Sequence, residues 1–435
     1  MDMAEVRERL QTADFARIFA TDLNGRPMTL QVNPENINAI VERGIGFDGS
    51  SVAGMASVDD SDRLLVPIPE SLRIVEFKDG RLAFFIGRID DSPAVRSHVD
   101  ARRVLEDVLE RARADLGCTF LAGPEHEFFL LKSDRFAAGI HSDRAGYFHA
   151  DPRDKGDAVR RNIIDVLRKC GVRLEKAHHE VTASQHEINL VCADALEAAD
   201  RTVLFNYVTQ KVAAEHGYHA TFMPKPFDGQ NRNAFHIHLS MRDLEGRNLF
   251  HDEGAEHHLS KTARQFIAGI LKYARQTCII MASTYNSYKA YVADREAPIV
   301  RGWGLRNRSS MVRVPHNDRP ENMRIELRTP DPAGNVYLQI ALLIGMGVRG
   351  IAEDLDCGQP DVGSTYRKRN HRALWDKRFL PACMFEALVE AERSKFLKEF
   401  LGATLYRQFL ALKRAEWENF RIHVTAREHR MYLSA

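Results

Sequence analysis

Several absences narrow what this chain can be. Positive and negative side chains nearly cancel: 61 Lys and Arg against 60 Asp and Glu leave a formal charge of +1. That balance gives no electrostatic reason to expect nucleic acid or an anionic membrane as partner. No apolar run approaches the roughly 20 residues that span a bilayer, and Met1-Asp2-Met3-Ala4-Glu5-Val6 carries no signal-peptide pattern. The six cysteines are scattered, without a Cys-x-x-Cys pair. Reduced thiols in a cytoplasmic protein fit this usage, and structural zinc does not. Internal repeats and low-complexity tracts are also missing. With 435 residues, 44% hydrophobic and 28% charged, the chain is long enough for a large core and two domains.

What is present centres on Gly123-Pro124-Glu125-His126-Glu127-Phe128-Phe129-Leu130-Leu131. The apolar and aromatic composition predicts a strand, whose period of two puts Glu125 and Glu127 on one face. Two such anions repel unless something positive lies beside them, and Mg²⁺ or Mn²⁺ is the simplest candidate. Alone, a Glu-x-Glu pair is more often a solvated acidic face. Later segments add to it. His178 to Leu190 brings Glu180 and Glu187. In Ala234 to Ser240, His236, His238 and Ser240 share a face opposite Phe235, Ile237 and Leu239. Arg324, Glu326 and Arg328 alternate likewise, and a segment rich in Arg, Asn and Ser between them holds Glu296, Arg308 and Arg313. Guanidinium forks match phosphate and carboxylate oxygens two at a time, though any single arginine is by default a structural ion pair.

The first hundred residues read as a small sheet with hairpin signals at Asn24-Gly25 and Asp79-Gly80. Within it, Gly46-Phe47-Asp48-Gly49-Ser50-Ser51 is an ordered loop, either a plain turn or an anionic Asp48 among hydroxyls suited to a small cation. A domain boundary is expected near Ser92-Pro93-Ala94. Amphipathic helices are expected over 100–116, 158–170, 196–214 and 261–282, and again from Asn335 onward.

Taken together, these segments resemble the glutamine synthetase family, type I. The motifs run in order from Phe-Asp-Gly-Ser-Ser (47–51) through Gly-Pro-Glu-x-Glu-Phe-Phe (123–129), His-His-Glu-Val-x(5)-Glu-Ile (178–188) and Met-Pro-Lys-Pro (223–226). His-x-His-x-Ser (236–240), Asn-Ser-Tyr-Lys (286–289), Glu-Ala-Pro (296–298), Arg-Asn-Arg-Ser (306–309) and Arg-Ile-Glu-x-Arg-x-Pro-Asp-Pro-Ala (324–333) complete the set. The resemblance implies an α+β fold: a β-grasp N-terminal domain (1–95) and a catalytic domain (96–435) with a curved, mostly antiparallel sheet flanked by helices. It implies a homo-oligomer of two stacked hexameric rings, a dodecamer, with each active site shared between neighbours.

The roles it implies are these. Glu127, Glu180 and Glu187 hold a first Mg²⁺ or Mn²⁺. Glu125, His236 and Glu326 hold a second, which bridges the phosphates of ATP, the co-substrate. Arg308 and Arg313 stabilise the transferred phosphoryl group. His238, Ser240, Arg308 and Arg324 contact nucleotide. Asp48 and Ser51, with Tyr147 and Glu180, form an ammonium pocket, Glu296 closes over the intermediate, and Arg328 and Arg232 fall on the acid-substrate side. The reaction implied is amidation of a small carboxylic acid through an acyl phosphate. A γ-glutamyl ligase for a small amine and a non-enzymatic structural or regulatory member are the alternatives.

The chain departs from the family pattern in the acid half of the pocket. Where the family has Asn-Ser-Tyr-Lys-Arg, this chain has Ala290, and that arginine grips the α-carboxylate of glutamate. The family's Asn-Gly-Ser-Gly reads Asn231-Arg232-Asn233-Ala234. Loss of a charge-assisted contact costs roughly 1.5–3 kcal/mol, about ten- to a hundredfold in affinity, unless Arg232 or Arg295 replaces it. The adenylylation tyrosine motif of some type I members is not evident over 364–370.

Overall fold

The computed structural model describes residues 3–292, 295–317, 319–367 and 376–434. After a helix α1 (Met3–Leu10), strands β1 (Phe15–Thr21) and β2 (Pro27–Val32) form the hairpin that Asn24-Gly25 signals. Helix α2 (Ile37–Arg43) leads to β3 (Ile45–Asp48), β4 (Asp62–Pro67), β5 (Arg73–Phe77), β6 (Gly80–Ser92) and the short β7 (Val95–Arg96). These make a seven-stranded sheet in which β1 runs parallel to β6 and every other pair is antiparallel. Because β7 pairs with β6, the expected division at residue 95 falls inside a strand of this sheet.

Helix α3 (Ala101–Leu116) starts at Asp100, whose side chain caps the Arg102 N–H, and ends at Gly117 in the left-handed conformation. It feeds β8 (Cys118–Leu131), the spine of a second sheet of nine strands. Helix α4 (Asp157–Lys169) precedes β9 (Leu174–His179), β10 (Gln185–Leu190) and β11 (Ala193–Asp194). Helix α5 (Ala195–Glu215), β12 (His219–Thr221), β13 (Ile237–Asp243) and α6 (Lys261–Met281) follow. The short β14 (Trp303–Leu305), β15 (Val312–Val314) and β16 (Ile325–Leu327) complete the sheet, in the order β14-β15-β16-β13-β8-β10-β9. Helices α7 (Val336–Ala352), α8 (Met384–Glu392), α9 (Lys395–Leu401), α10 (Ala403–Ile422) and α11 (Ala426–Tyr432) close the chain. Among the described residues of this second sheet, only β14 and β15 pair in parallel.

One face of β8 explains the burial of the core. Phe120, Ala122, His126 and Phe128 alternate into it, and the His126 ring lies 4.2 Å from Phe205 of α5, with its Nε2 3.1 Å from the Thr202 hydroxyl. The other face carries Glu125 and Glu127. The tip of the first hairpin docks on the catalytic part: Asn335 Nδ2 donates to Thr21 Oγ1 (3.1 Å) and the Asp22 carbonyl (2.9 Å). A Cβ on Gly25, at φ +85°, would stand 2.6 Å from Asn335 Cα, so only glycine fits there.

Candidate active site

Strand register brings together residues far apart in sequence. Glu127 on β8 stands opposite Glu187 on β10, and Glu187 opposite His178 on β9. One step along, Glu125 faces Asn189, and Asn189 faces Lys176. On the other side of β8, His238 pairs with Gly123 and with Glu326 on β16, which in turn faces Arg313 on β15. Cross-strand neighbours on one face sit within side-chain reach, so a belt of acids, imidazoles and guanidiniums crosses the sheet. His236 precedes the first hydrogen-bonded residue of β13, yet its carbonyl accepts from Glu125 N (2.9 Å), which continues the ladder and keeps His236 and His238 on one side.

Two clusters result. In the first, one donor atom each from Glu125, His236 and Glu326 lies within 4.8 Å of the others. His236 Nδ1 is 2.9 Å from Glu125 Oε2 and 3.7 Å from Glu326 Oε1. Arg324 Nε–H donates to His238 Nδ1 (3.2 Å), which leaves the proton of His238 on Nε2 to donate to Glu125 Oε1 (3.1 Å). Burial opposes ionisation of Glu326, but Arg328 and the two imidazoles hold its carboxyl at about 2. Burial and Arg328 push His236 below its ordinary range, which keeps it a neutral nitrogen donor.

In the second cluster, His178, Glu180 and Glu187 offer donor atoms within 4.8 Å of one another. Glu127 adjoins it, with Oε2 accepting from Ala234 N–H (2.7 Å) and Gln185 Nε2 (3.1 Å). Burial, then Glu180 and Glu187, drive the Glu127 carboxyl well above its usual range. Burial and Glu187 push Glu180 up to about 7. Three carboxylates this close and this buried do not all ionise without a cation among them. The donor sets, carboxylates with one imidazole each, suit Mg²⁺ or Mn²⁺. His178 thus joins Glu180 and Glu187, and Glu127 stands beside this trio with Oε2 held by the Ala234 amide and Gln185.

Beside the first cluster lies a cavity of about 500 Å³, lined by His238, Ser240, Arg308, Arg313 and Arg324 together with Glu125, Lys176 and Asn189. Arg313 Nη1 and Arg328 Nη1 donate to the two oxygens of Glu326 at 2.7 and 2.6 Å. Both arginines, expected at phosphoryl group and acid, thus serve here as counter-ions of Glu326. The Arg232 guanidinium is buried and donates to the carbonyls of Thr329 (3.1 Å) and Arg328 (2.7 Å), 5.7 Å from the Tyr291 ring centre. It braces backbone through one N–H of each terminal nitrogen. Ala290 is buried beside Tyr291.

The remaining expected residues lie around this site or apart from it. Tyr147 is exposed, stacked on Phe148 (4.0 Å) and edge-on to His178 (5.3 Å), and burial together with Glu180 raises its hydroxyl pKa. Glu296 is exposed, and its carbonyl accepts from Tyr366 Oη (2.8 Å), which also donates to the Arg308 carbonyl (3.0 Å). Asp48 sits at the end of β3, and its carboxylate accepts from the hydroxyls of Ser50 and Ser51 at 2.6 Å each, which lowers its pKa. Neither Asp48 nor Ser51 lines the arginine-rich cavity of the same chain.

Four residues in the belt escaped the reading from sequence: Lys176, His178, Gln185 and Asn189. The period of two that singles out Glu187 also selects Gln185 and Asn189, and it was the available signal.

The family model for the glutamine synthetase catalytic domain matches residues 98–432, and that for its beta-grasp domain matches residues 12–92. The chain belongs to the glutamine synthetase family. It is 38% identical over 433 residues to the glutamine synthetase of Mycolicibacterium smegmatis, covering 97% of this chain and 96% of that one. To the Thermus thermophilus glutamine synthetase it is 36% identical over 447 residues, covering 99% and 98%. Among solved structures, a GmaS/ADP complex superposes with a TM-score of 0.89 over the whole of both chains at 30% identity. The Plasmodium falciparum glutamine synthetase shares the fold, with a TM-score of 0.89 at 21% identity. The family member described here is an ATP-dependent ligase. No helix among its described residues is long and apolar enough to cross a membrane.

Proposed function

We propose that this synthetase-family enzyme joins ammonium to a small carboxylic acid, and that the acid is not bound as the family binds glutamate. The observation that carries the reading is the pair of carboxylate–imidazole clusters beside an arginine-lined cavity. Glu125, His236 and Glu326 hold one ion. Glu127, Glu180 and Glu187 hold the other, with His178 at its edge. Bound there, Mg²⁺ or Mn²⁺ neutralises charge on the transferred phosphoryl group.

The chain's own residues do the rest. His238, Ser240 and Arg324 seat the nucleotide, and Arg308 and Arg313 face its phosphates. The substrate carboxylate oxygen attacks the γ-phosphorus, ADP leaves, and an acyl phosphate remains. Ammonium loses a proton to a carboxylate, its nitrogen attacks the acyl carbon, and inorganic phosphate departs. Asp48 takes that proton, its carboxylate held in place by the Ser50 and Ser51 hydroxyls. It lies apart from the cavity of its own chain, so a neighbouring subunit supplies Asp48 and Ser51, in a ring-forming homo-oligomer and most simply the dodecamer of the family. The first-sheet unit, which runs through β7, and the catalytic unit that follows it meet at this shared site. Tyr147 borders the ammonium side, and Glu296 on its exposed loop closes over the intermediate. We place the enzyme in the cytoplasm.

The acid half supports the substrate statement. Ala290 brings no charge, and Arg232 is engaged by the backbone carbonyls of Thr329 and Arg328, which leaves exposed Arg295, close enough to Lys225 to act on its charge, as the guanidinium free to meet an α-carboxylate from a new direction. Glutamate is expected to saturate about ten- to a hundredfold above the level for an enzyme with the full grip. The check is acid-dependent ADP release across a panel of acids, with the amide identified by mass. A glutamate half-saturation in the low millimolar range, ahead of every analogue, overturns the proposal. Methylamide in place of amide product would favour the small-amine reading.

Control by adenylylation is not part of this reading. Of the stretch 364–370, residues 368–370 lie outside the described residues, and the Tyr366 hydroxyl is engaged with the carbonyls of Glu296 and Arg308. Intact-mass and peptide spectra of purified enzyme are expected to show no AMP on Tyr366, and its presence would refute the expectation.

A further inference from the structure

Lys176 lies on the outer strand of the sheet and reaches inward over Asn189. Its Nζ is 3.8 Å from Glu125 Oε1 and 3.8 Å from Glu187 Oε1. Those oxygens belong one to each carboxylate cluster, so a single ammonium bridges both. The other donors on these carboxylates are fixed: Asn189 Nδ2 (3.2 Å) and His238 Nε2 (3.1 Å) reach Glu125 Oε1 from strand positions, and His178 Nε2 stands 3.6 Å from Glu187 Oε1. Lys176 alone among these donors is about half exposed, at 50%, and sits on a flexible four-carbon stem. It also lines the cavity that holds Arg308, Arg313 and Arg324.

We infer that Lys176 is an exchangeable counter-ion: its ammonium bridges Glu125 and Glu187 in the metal-free enzyme and moves to the nucleotide phosphates when divalent ions take those oxygens. The inference rests on the two-ion reading above. A cation within 4 Å of two ligand oxygens competes with the incoming ion, and an ammonium beside two divalent ions is repelled toward the nearest anion. In the cavity that anion is phosphate, which lysine binds as a point charge. The side chain thereby links the two binding events. It lowers affinity for free metal and raises affinity for the nucleotide that arrives with it.

The test is calorimetric titration of the nucleotide-free, full-length enzyme with Mn²⁺, in wild type, Lys176→Met and Lys176→Arg. Lys176→Met is expected to bind Mn²⁺ about three- to tenfold more tightly, because the competing charge is gone and the site is partly screened by solvent. Its rise in melting temperature on adding Mn²⁺ is expected to exceed that of wild type, and its KM for ATP to rise by a similar factor. Lys176→Arg keeps the charge and is expected to retain the wild-type Mn²⁺ affinity. A merely structural lysine would weaken metal binding when removed. Equal or weaker Mn²⁺ binding by Lys176→Met overturns the inference while leaving the two-ion reading intact. Absence of Mn²⁺ binding in all three proteins overturns both.

Discussion

Glu127→Gln is expected to abolish turnover and to make the metal-free protein more stable. Glu127 is buried beside Glu180 and Glu187, and burial and those two neighbours drive its carboxyl well above the ordinary range. A carboxyl whose folded pKa is raised holds its proton more tightly folded than unfolded. Its contribution to stability is therefore kept at low pH and lost as pH rises through the folded value. At neutral pH the ionised form is a standing cost. Glutamine has no proton to lose, still offers an oxygen to the Ala234 N–H, and turns amide donors toward Glu180 and Glu187. The gain is present at pH 7 and vanishes below about pH 4, where both proteins are uncharged at this position. Turnover falls about a thousandfold, because the ion that Glu127, Glu180 and Glu187 would hold loses an anionic ligand at the reacting group. Thermal melts in EDTA from pH 4 to 8, set beside ATP turnover in Mg²⁺, decide the matter. A variant less stable than wild type in EDTA, or one within tenfold of wild-type turnover, contradicts the assignment.

The rise in stability on losing a functional group has a general cause. Sites that gather like charges for a cation are strained without it, and that strain is what makes the cation bind. It also explains how far the sequence could be read. The alternation in Glu125-x-Glu127, His236-x-His238-x-Ser240 and Arg324-x-Glu326-x-Arg328 predicts shared faces, and each of those sets does share one. Alternation says nothing about which strand lies next to which. That Glu187 stands opposite Glu127, and Asn189 opposite Glu125, is a matter of register between strands about sixty residues apart. Lys176 and His178 belong to the belt for the same reason, whereas Gln185 and Asn189 share the period of two with Glu187.

The arginines show a second limit. Sequence supplies a guanidinium with five donors but not the acceptors that will take them. Arg232 is committed to two backbone carbonyls, and Arg313 and Arg328 share the oxygens of Glu326. Turn chemistry was the most legible feature of the first sheet: Asn24-Gly25 lies between paired strands, and Asp79 closes a turn into β6, whose first residue Gly80 pairs with Phe77. The parallel pairing of β1 with β6 was not legible, because it joins strands across the whole small domain. The boundary at residue 95 missed β7 because a two-residue strand carries no periodic signal.

Glu326→Gln is expected to lose turnover as completely as Glu127→Gln but to move stability the opposite way. Glu326 is 1% exposed, and its two oxygens accept from Arg313 (2.7 Å) and Arg328 (2.6 Å). Burial by itself would raise its carboxyl, yet Arg328 and the imidazoles of His238 and His236 bring it from the ordinary 4.5 to about 2. A lowered carboxyl stabilises the fold above the unfolded pKa and loses that contribution as pH falls through the folded one. The charge of Glu326 is thus fully effective above about pH 4.5 and fades toward pH 2. Glutamine keeps one acceptor oxygen, but its amide faces the second guanidinium donor to donor. Breaking a buried pair from one side costs about 3–5 kcal/mol. In EDTA at pH 7 the variant should therefore melt well below wild type, and the gap should narrow as the solution is acidified. Two variants with equal losses of turnover and opposite shifts in melting would show that activity depends on the ligand oxygens themselves rather than on the stability of the sheet. A Glu326→Gln protein that melts with wild type at pH 7 would mean that Arg313 and Arg328 find other anions, and that Glu326 is not the group that holds them in place.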